Sequence, residues 1–192
     1  MKRLASILLV LSVSLAAIAQ DSPQPRAMLD KLYSAYMTSG GVKLTFTTSI
    51  GEAGAKVYES QKGDAFIKGI KFRLETNEMN IWFDGTTQWV LLKDVNEVNV
   101  SNPTESELAT VSPLAMLGIY KNGYSLKAPV AKTVDNKKVQ TIEMTPVSEN
   151  RDIKSITVAI DVTKNQLVQI ILITRNDLLT KIDIADYNDN FK

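Results

Sequence analysis

Leu29, Leu32, Tyr33 and Tyr36 recur at i, i+3, i+4 and i+7 between Pro25 and Met37, the spacing of one buried stripe on a helix. Pro25 suits the first helical turn, and Gly40-Gly41 stops the helix. The period then falls to two. Val42, Leu44, Phe46, Thr48 and Ile50 alternate with Lys43, Thr45, Thr47 and Ser49, which predicts a strand with one apolar face. Gly51-Glu52-Ala53-Gly54 reads as a turn, because it lacks the lysine and the strand-to-helix context of a phosphate loop. Ala55 to Lys68 is predicted as a long, weakly alternating strand or a bent pair of strands. Ile70 to Glu75 then places Ile70, Phe72 and Leu74 on one face. Met79 to Phe83 and Gln88 to Leu92 flank Asp84-Gly85, a dipeptide suited to the positive φ angles of a tight hairpin. Glu97 to Val100 is a further short strand.

After Asn102-Pro103 the pattern changes. Thr104 to Val111 predicts a polar connector, and Ser112-Pro113 an N-cap with proline at the first helical position. The helix opened there, Pro113 to Lys121, carries Leu114, Met116, Leu117, Ile119 and Tyr120 around nearly its whole circumference, so something must cover it. Strands resume at Tyr124 to Val130, Lys138 to Thr145, Ile153 to Ile160, Gln166 to Thr174 and Leu178 to Tyr187, with turn residues between them, and Asp186 to Lys192 reads as a solvated tail. Short connections make the sheet antiparallel. About ten strands and two substantial helices predict a mainly β, α+β fold: a strongly curved sheet or incomplete antiparallel β-barrel whose apolar side the helices cover. Periodicity leaves open whether sheet and helices enclose a dry core or a ligand cavity.

The chain has 192 residues, 44% of them apolar and 22% charged, with no cysteine and no histidine. That composition is globular, and it excludes histidine-based triads, thiolate nucleophiles, imidazole or thiolate metal sites and disulfide frameworks. No catalytic residue, metal or cofactor is expected. Met1-Lys2-Arg3, the apolar run Leu4 to Ala16 and Ala17-Ile18-Ala19 form the pattern of a cleaved secretory signal peptide, residues 1–19, which leaves 20–192 as a single domain. Losing Lys2 and Arg3 from 22 basic residues against 21 acidic ones brings the mature chain close to neutrality, with no basic cluster for nucleic acid. A chain without cysteine is also not acylated as a lipoprotein is, so a soluble, exported protein is expected.

Gly63-Asp64, Phe72-Arg73-Leu74-Glu75, the hairpin Trp82 to Trp89 with its acidic-Gly-x-Thr-x-Trp pattern, Asn96-Glu97-Val98 and the Ser112-Pro113-Leu114 helix together resemble the periplasmic outer-membrane lipoprotein carrier family, the LolA-like proteins. The resemblance implies a half-barrel under a helical lid, whose apolar cavity takes the acyl chains of lipoproteins. As implied partners it brings an inner-membrane release complex and an outer-membrane acceptor, with the carrier a periplasmic monomer. Phe46, Phe66, Phe72, Leu74, Trp82, Trp89 and Leu91 are the candidate cavity wall. Leu114, Met116, Leu117, Ile119 and Tyr120 are the candidate lid, with Met116 suited to repacking. The family's Arg-Pro pair, whose arginine is associated with holding the empty lid shut, is replaced here by Lys68-Gly69-Ile70-Lys71. The cargo is therefore acylated lipoprotein or another lipid. The alternative is a lipid-binding or protein-interaction module on the same half-barrel, an envelope sensor or scaffold without transport, marked by an exposed apolar or charged patch.

Several other features have plain structural readings. Asp183 with Asp186, and Glu105 with Glu107, lie where no cleft is marked and are not a glycosidase pair. Asn99-Val100-Ser101 matches a glycosylation sequon by chance. Ser112 is a cap without a base to activate it.

Overall fold

Two-residue periodicity becomes two antiparallel meanders because most strands find their sequence neighbours through short turns. The computed structural model describes residues 23–56, 58–148 and 152–189, and the predicted signal peptide lies outside them. The elements are α1 (Pro23–Thr38), β1 (Val42–Glu52), β2 (Glu59–Lys68), β3 (Lys71–Thr76), β4 (Met79–Phe83), β5 (Gln88–Leu92) and β6 (Glu97–Ser101). Then come α2 (Glu105–Val111), α3 (Pro113–Gly118), a 3₁₀ turn (Ile119–Lys121), β7 (Tyr124–Leu126), β8 (Val130–Val134), β9 (Lys137–Pro146), β10 (Ile153–Asp161), β11 (Gln166–Thr174) and β12 (Leu178–Asn188). Among the described residues twelve strands form one antiparallel sheet in the order β6-β5-β4-β3-β2-β1-β12-β11-β10-β9-β7, with β8 also on β9. The sheet is curved and unclosed. Register shifts at Thr45/Phe46, Ile153/Ser155 and Ala159/Ile160 are the bulges that bend it.

Two meanders meet where β1 pairs β12, joining the first and last strands at the middle of the sheet. The outer strands are therefore β6 on one side and β7 with β8 on the other. The chain passes from one side to the other through α2, α3 and the 3₁₀ turn. Topology thus lays the short helices across the hollow. Leu29, Leu32 and Tyr36 of α1, with Met116, Leu117 and Tyr120, are 0–1% exposed and belong to one core with Leu44, Ile142, Met144, Ile156 and Ile170 of the sheet.

Four sequence expectations need correction. Thr104 to Val111 is a cap and helix, not a connector: Thr104 accepts from the Glu107 N–H and the Glu107 side chain accepts from the Thr104 N–H, a reciprocal capping box that offsets the polar composition. The strand expected over Tyr124 to Val130 stops at Leu126, ahead of Pro129, which supplies no N–H to a ladder, and a separate strand follows at Val130–Val134. The predicted helix from Pro113 to Lys121 tightens into a 3₁₀ turn after Gly118. Asp186 to Asn188 are ladder residues opposite Thr45, Leu44 and Lys43 rather than a tail.

The β10–β11 turn is held by Asp161, 9% exposed, whose carboxylate accepts from the Thr163 hydroxyl at 2.6 Å and from the N–H groups of Thr163 and Lys164 at 3.0 and 3.1 Å. The Thr163 hydroxyl, followed by the two amides, holds this carboxyl below its ordinary range. A depressed folded value contributes stability above the unfolded pKa, about 3.9, and that contribution disappears as pH falls through the folded value. Asp161→Asn is expected to lose about 1 kcal/mol at neutral pH, with the gap to the parent narrowing below about pH 4, as urea titrations at several pH values will read.

Candidate functional site

Strand parity sorts the aromatic residues. In the ladder Val42–Ile67–Phe72–Phe83–Gln88 and the neighbouring ladder Leu44–Ala65–Leu74–Ile81–Val90, side chains turn toward the helices. The alternate ladder, Lys43–Phe66–Arg73–Trp82–Trp89–Val100, turns away from them. Gly63 stands opposite Phe46, and the ring occupies its missing side chain's place: a Cβ there would meet Phe46 Cζ and the Glu75 carbonyl, each at 2.7 Å.

The candidate cavity residues therefore divide. Phe46, Phe72 and Leu74 are buried on the helix side, at 5 to 6% exposure. Phe66, Trp82, Trp89 and Leu91 lie on the opposite face and are half-buried, so the structure does not bring them to the same hollow. Arg73 sits 4.2 Å from the Phe66 ring centre with its Nε 3.1 Å from Glu75, on the outer face as its polar parity predicts.

A cleft of about 350 Å³ opens at one end of the hollow, between the β3–β4 side of the sheet, α1 and the short helices. Phe72 and Phe83 form its floor, their ring centres 5.3 Å apart, and Leu108, Leu114, Ala115 and Ile119 form the helical side. Exposed Glu105 and Lys121 stand at its rim. Among the sheet residues proposed from sequence, Phe72 alone lines the cleft, whereas Phe46 and Leu74 belong to the packed core. Phe83 lines the cleft where ring size points to Trp82, and the alternation of Met79, Ile81 and Phe83 against Asn80 marks it as inward-facing.

The lid candidates divide in the same way. Leu114 and Ile119, together with Ala115 and Gly118, which are not among the candidates, turn one side of the helix to the cleft. Met116, Leu117 and Tyr120 turn the other into the core, at 0 to 1% exposure. Ser112, buried, accepts from the Ala115 N–H at 3.4 Å and so caps the helix where it borders the cleft.

α1 ties this segment down. Arg26, Asp30 and Tyr33, spaced i, i+4 and i+7, form a face distinct from the stripe Leu29, Leu32 and Tyr36. The Tyr120 hydroxyl donates to Asp30 Oδ1 at 2.5 Å, and Arg26 stands 5.8 Å from the Tyr120 ring centre. Burial, followed by the hydrogen bond to the Asp30 carboxylate, pushes the Tyr120 phenol well above its ordinary range. Lys121 Nζ lies 3.5 Å from the Tyr33 ring centre, and a Cβ on Gly118 would come within 2.8 Å of that ring. Glycine thus permits the helix to seat on Tyr33. Tyr120→Phe is expected to cost about 1 kcal/mol and to speed amide hydrogen exchange across 113–121 ahead of the sheet. Unchanged exchange would remove the latch.

These features define a class: helix-lidded antiparallel half-barrels with an apolar cleft between lid and sheet. The family model of the outer membrane lipoprotein carrier protein LolA matches residues 15–173, and the chain belongs to that family. A solved structure of an uncharacterised conserved protein from Thermus thermophilus matches with a TM-score of 0.59 at 8% identity, covering 88% of this chain and 89% of that one. The Mycobacterium tuberculosis lipoprotein LppX matches at 0.49 and 17% identity over 89% of this chain and 98% of that one. A LolA superfamily protein from Nitrosomonas europaea matches at 0.45 and 8% identity over 87% and 94%. No curated protein matches the chain. Among the described residues no helix is long and apolar enough to cross a membrane.

Proposed function

We propose that this protein is a soluble periplasmic carrier that binds the acyl chains of lipoproteins and delivers them to the outer membrane. The observation that carries this reading is the cleft of about 350 Å³ between Phe72 and Phe83 of the sheet and the latched helix above them. Each exposed methylene of an acyl chain costs about 0.8 kcal/mol in water, so a chain crossing an aqueous compartment needs an apolar shelter. Family membership supports the same role and suggests loading from an inner-membrane release complex and unloading to an outer-membrane acceptor. The predicted signal peptide, residues 1–19, supports export, and the carrier is proposed to act as a monomer without cofactor or catalysis. Incubated with membranes bearing an acylated protein, the purified chain is expected to bring that protein into the soluble fraction, and protein isolated from its native envelope to carry lipoprotein or lipid detectable by mass spectrometry. Neither transfer nor co-purifying lipid would sink the carrier reading.

A second reading, a protein-interaction module, draws on the outer face. Val98 and Val100 of β6 are 53% and 61% exposed and continue the row of Trp82, Trp89 and Leu91. An outer strand with apolar alternate side chains is fit to pair with an extended segment of another protein. On this reading Val100→Lys abolishes partner capture, whereas on the carrier reading acyl transfer is unaffected by it.

A further inference from the structure

The cleft limits what it holds, an inference that rests on the acyl-binding reading above. A methylene takes about the 30 Å³ that a water takes in the liquid, so a cleft of about 350 Å³ has room for about a dozen. A second, more open hollow of about 310 Å³ lies on the other side of Phe72, beside Phe66, Lys68 and Lys71, whereas the core behind the lid helix is filled. Met116, Leu117 and Tyr120, on the other side of the lid helix, are 0–1% exposed, and Leu44, Ile142 and Met144 behind them are 0% exposed. Tyr120 on Asp30 and Tyr33 on Gly118 hold the helix in this position.

Polarity orders the occupant. Phe72, Phe83 and Leu114 are buried and apolar, whereas Glu105 and Lys121 are exposed at the rim. One carboxylate and one ammonium carry no net charge between them, so neither an anionic nor a cationic head group is selected. Chain length is the property this site reads. We propose that the latched protein takes one acyl chain of about a dozen methylenes, with the head group beside Glu105 and Lys121. Second and third chains of a multiply acylated molecule stay outside this cleft.

The test is calorimetric titration of the purified protein with zwitterionic single-chain lysophospholipids of increasing chain length, below their micelle-forming concentrations. Binding is expected at one lipid per protein, with affinity rising about four-fold per methylene and levelling off near a dozen. Ala115→Phe, which adds a ring at the cleft wall, is expected to move that break to shorter chains. The break in the parent protein stands as a readout even if that variant fails to fold. Affinity that climbs well past the break overturns the single-chain limit. So does a triacylated lipopeptide that binds where single-chain lipids do not, although acyl binding itself then survives. If neither the single-chain lipids nor the lipopeptide bind, this inference and the carrier reading fall together.

Discussion

An Ile119→Glu variant is expected to fold as the parent does and to bind single-chain lipid about 100-fold more weakly or worse. Ile119 is half-buried on the cleft wall, so in the empty protein the new carboxylate reaches water. An acyl chain in the cleft strips that water away. Leaving a charge unsolvated beside hydrocarbon costs at least the 2.8 kcal/mol that a 100-fold loss represents, about 1.4 kcal/mol per factor of ten. Fluorescence titration alongside a thermal melt checks the expectation. Binding retained at a parental level would place the acyl chain somewhere other than this cleft.

Leu117→Glu, two residues earlier on the same helix, is expected to do the opposite and unfold the protein. Leu117 is 1% exposed in the core and is not a cleft residue. A carboxylate there has neither water nor a cation, a penalty of about 5 kcal/mol or more against a total stability of about 5–15 kcal/mol. Leu117→Ala, which leaves only a cavity, is expected to lose about 2–5 kcal/mol in urea unfolding while lipid binding persists under folding conditions. Equal effects of glutamate at 117 and 119 would contradict the division of the helix into a core side and a cleft side. From sequence alone the two positions look equivalent, because Leu114, Met116, Leu117, Ile119 and Tyr120 surround the helix with apolar residues.

Much of the sheet is legible along the chain because β-alternation and turn chemistry are local. Gly85 at φ 107, and Asp135 and Asn136 at φ 46 and 61, adopt the left-handed conformations their hairpins demand. The capping box of α2 is local too, since Thr104 and Glu107 display it openly, but the polar run around them masks it. The wall of the site is less legible. Ring size points to Trp82 and Trp89, whereas register turns them outward and Phe83 inward. β4 carries an aromatic ring on each face, so ring size alone does not separate lining from surface, and only the alternation of Met79, Ile81 and Phe83 against Asn80 does.

By itself the sequence determines a mainly β chain with an apolar face on most strands, no histidine or cysteine chemistry, a helix at the start and an apolar helix midway that demands cover. These properties come from side-chain identity and spacing. Tertiary structure alone decided that β1 meets β12 and that α2 and α3 cross from one side of the sheet to the other. It also decided that Tyr120 reaches Asp30. The cleft is a product of those long-range arrangements. It lies between Phe72 and Phe83 of the sheet and a lid segment held by Tyr33 and Asp30, residues that are far apart in the chain.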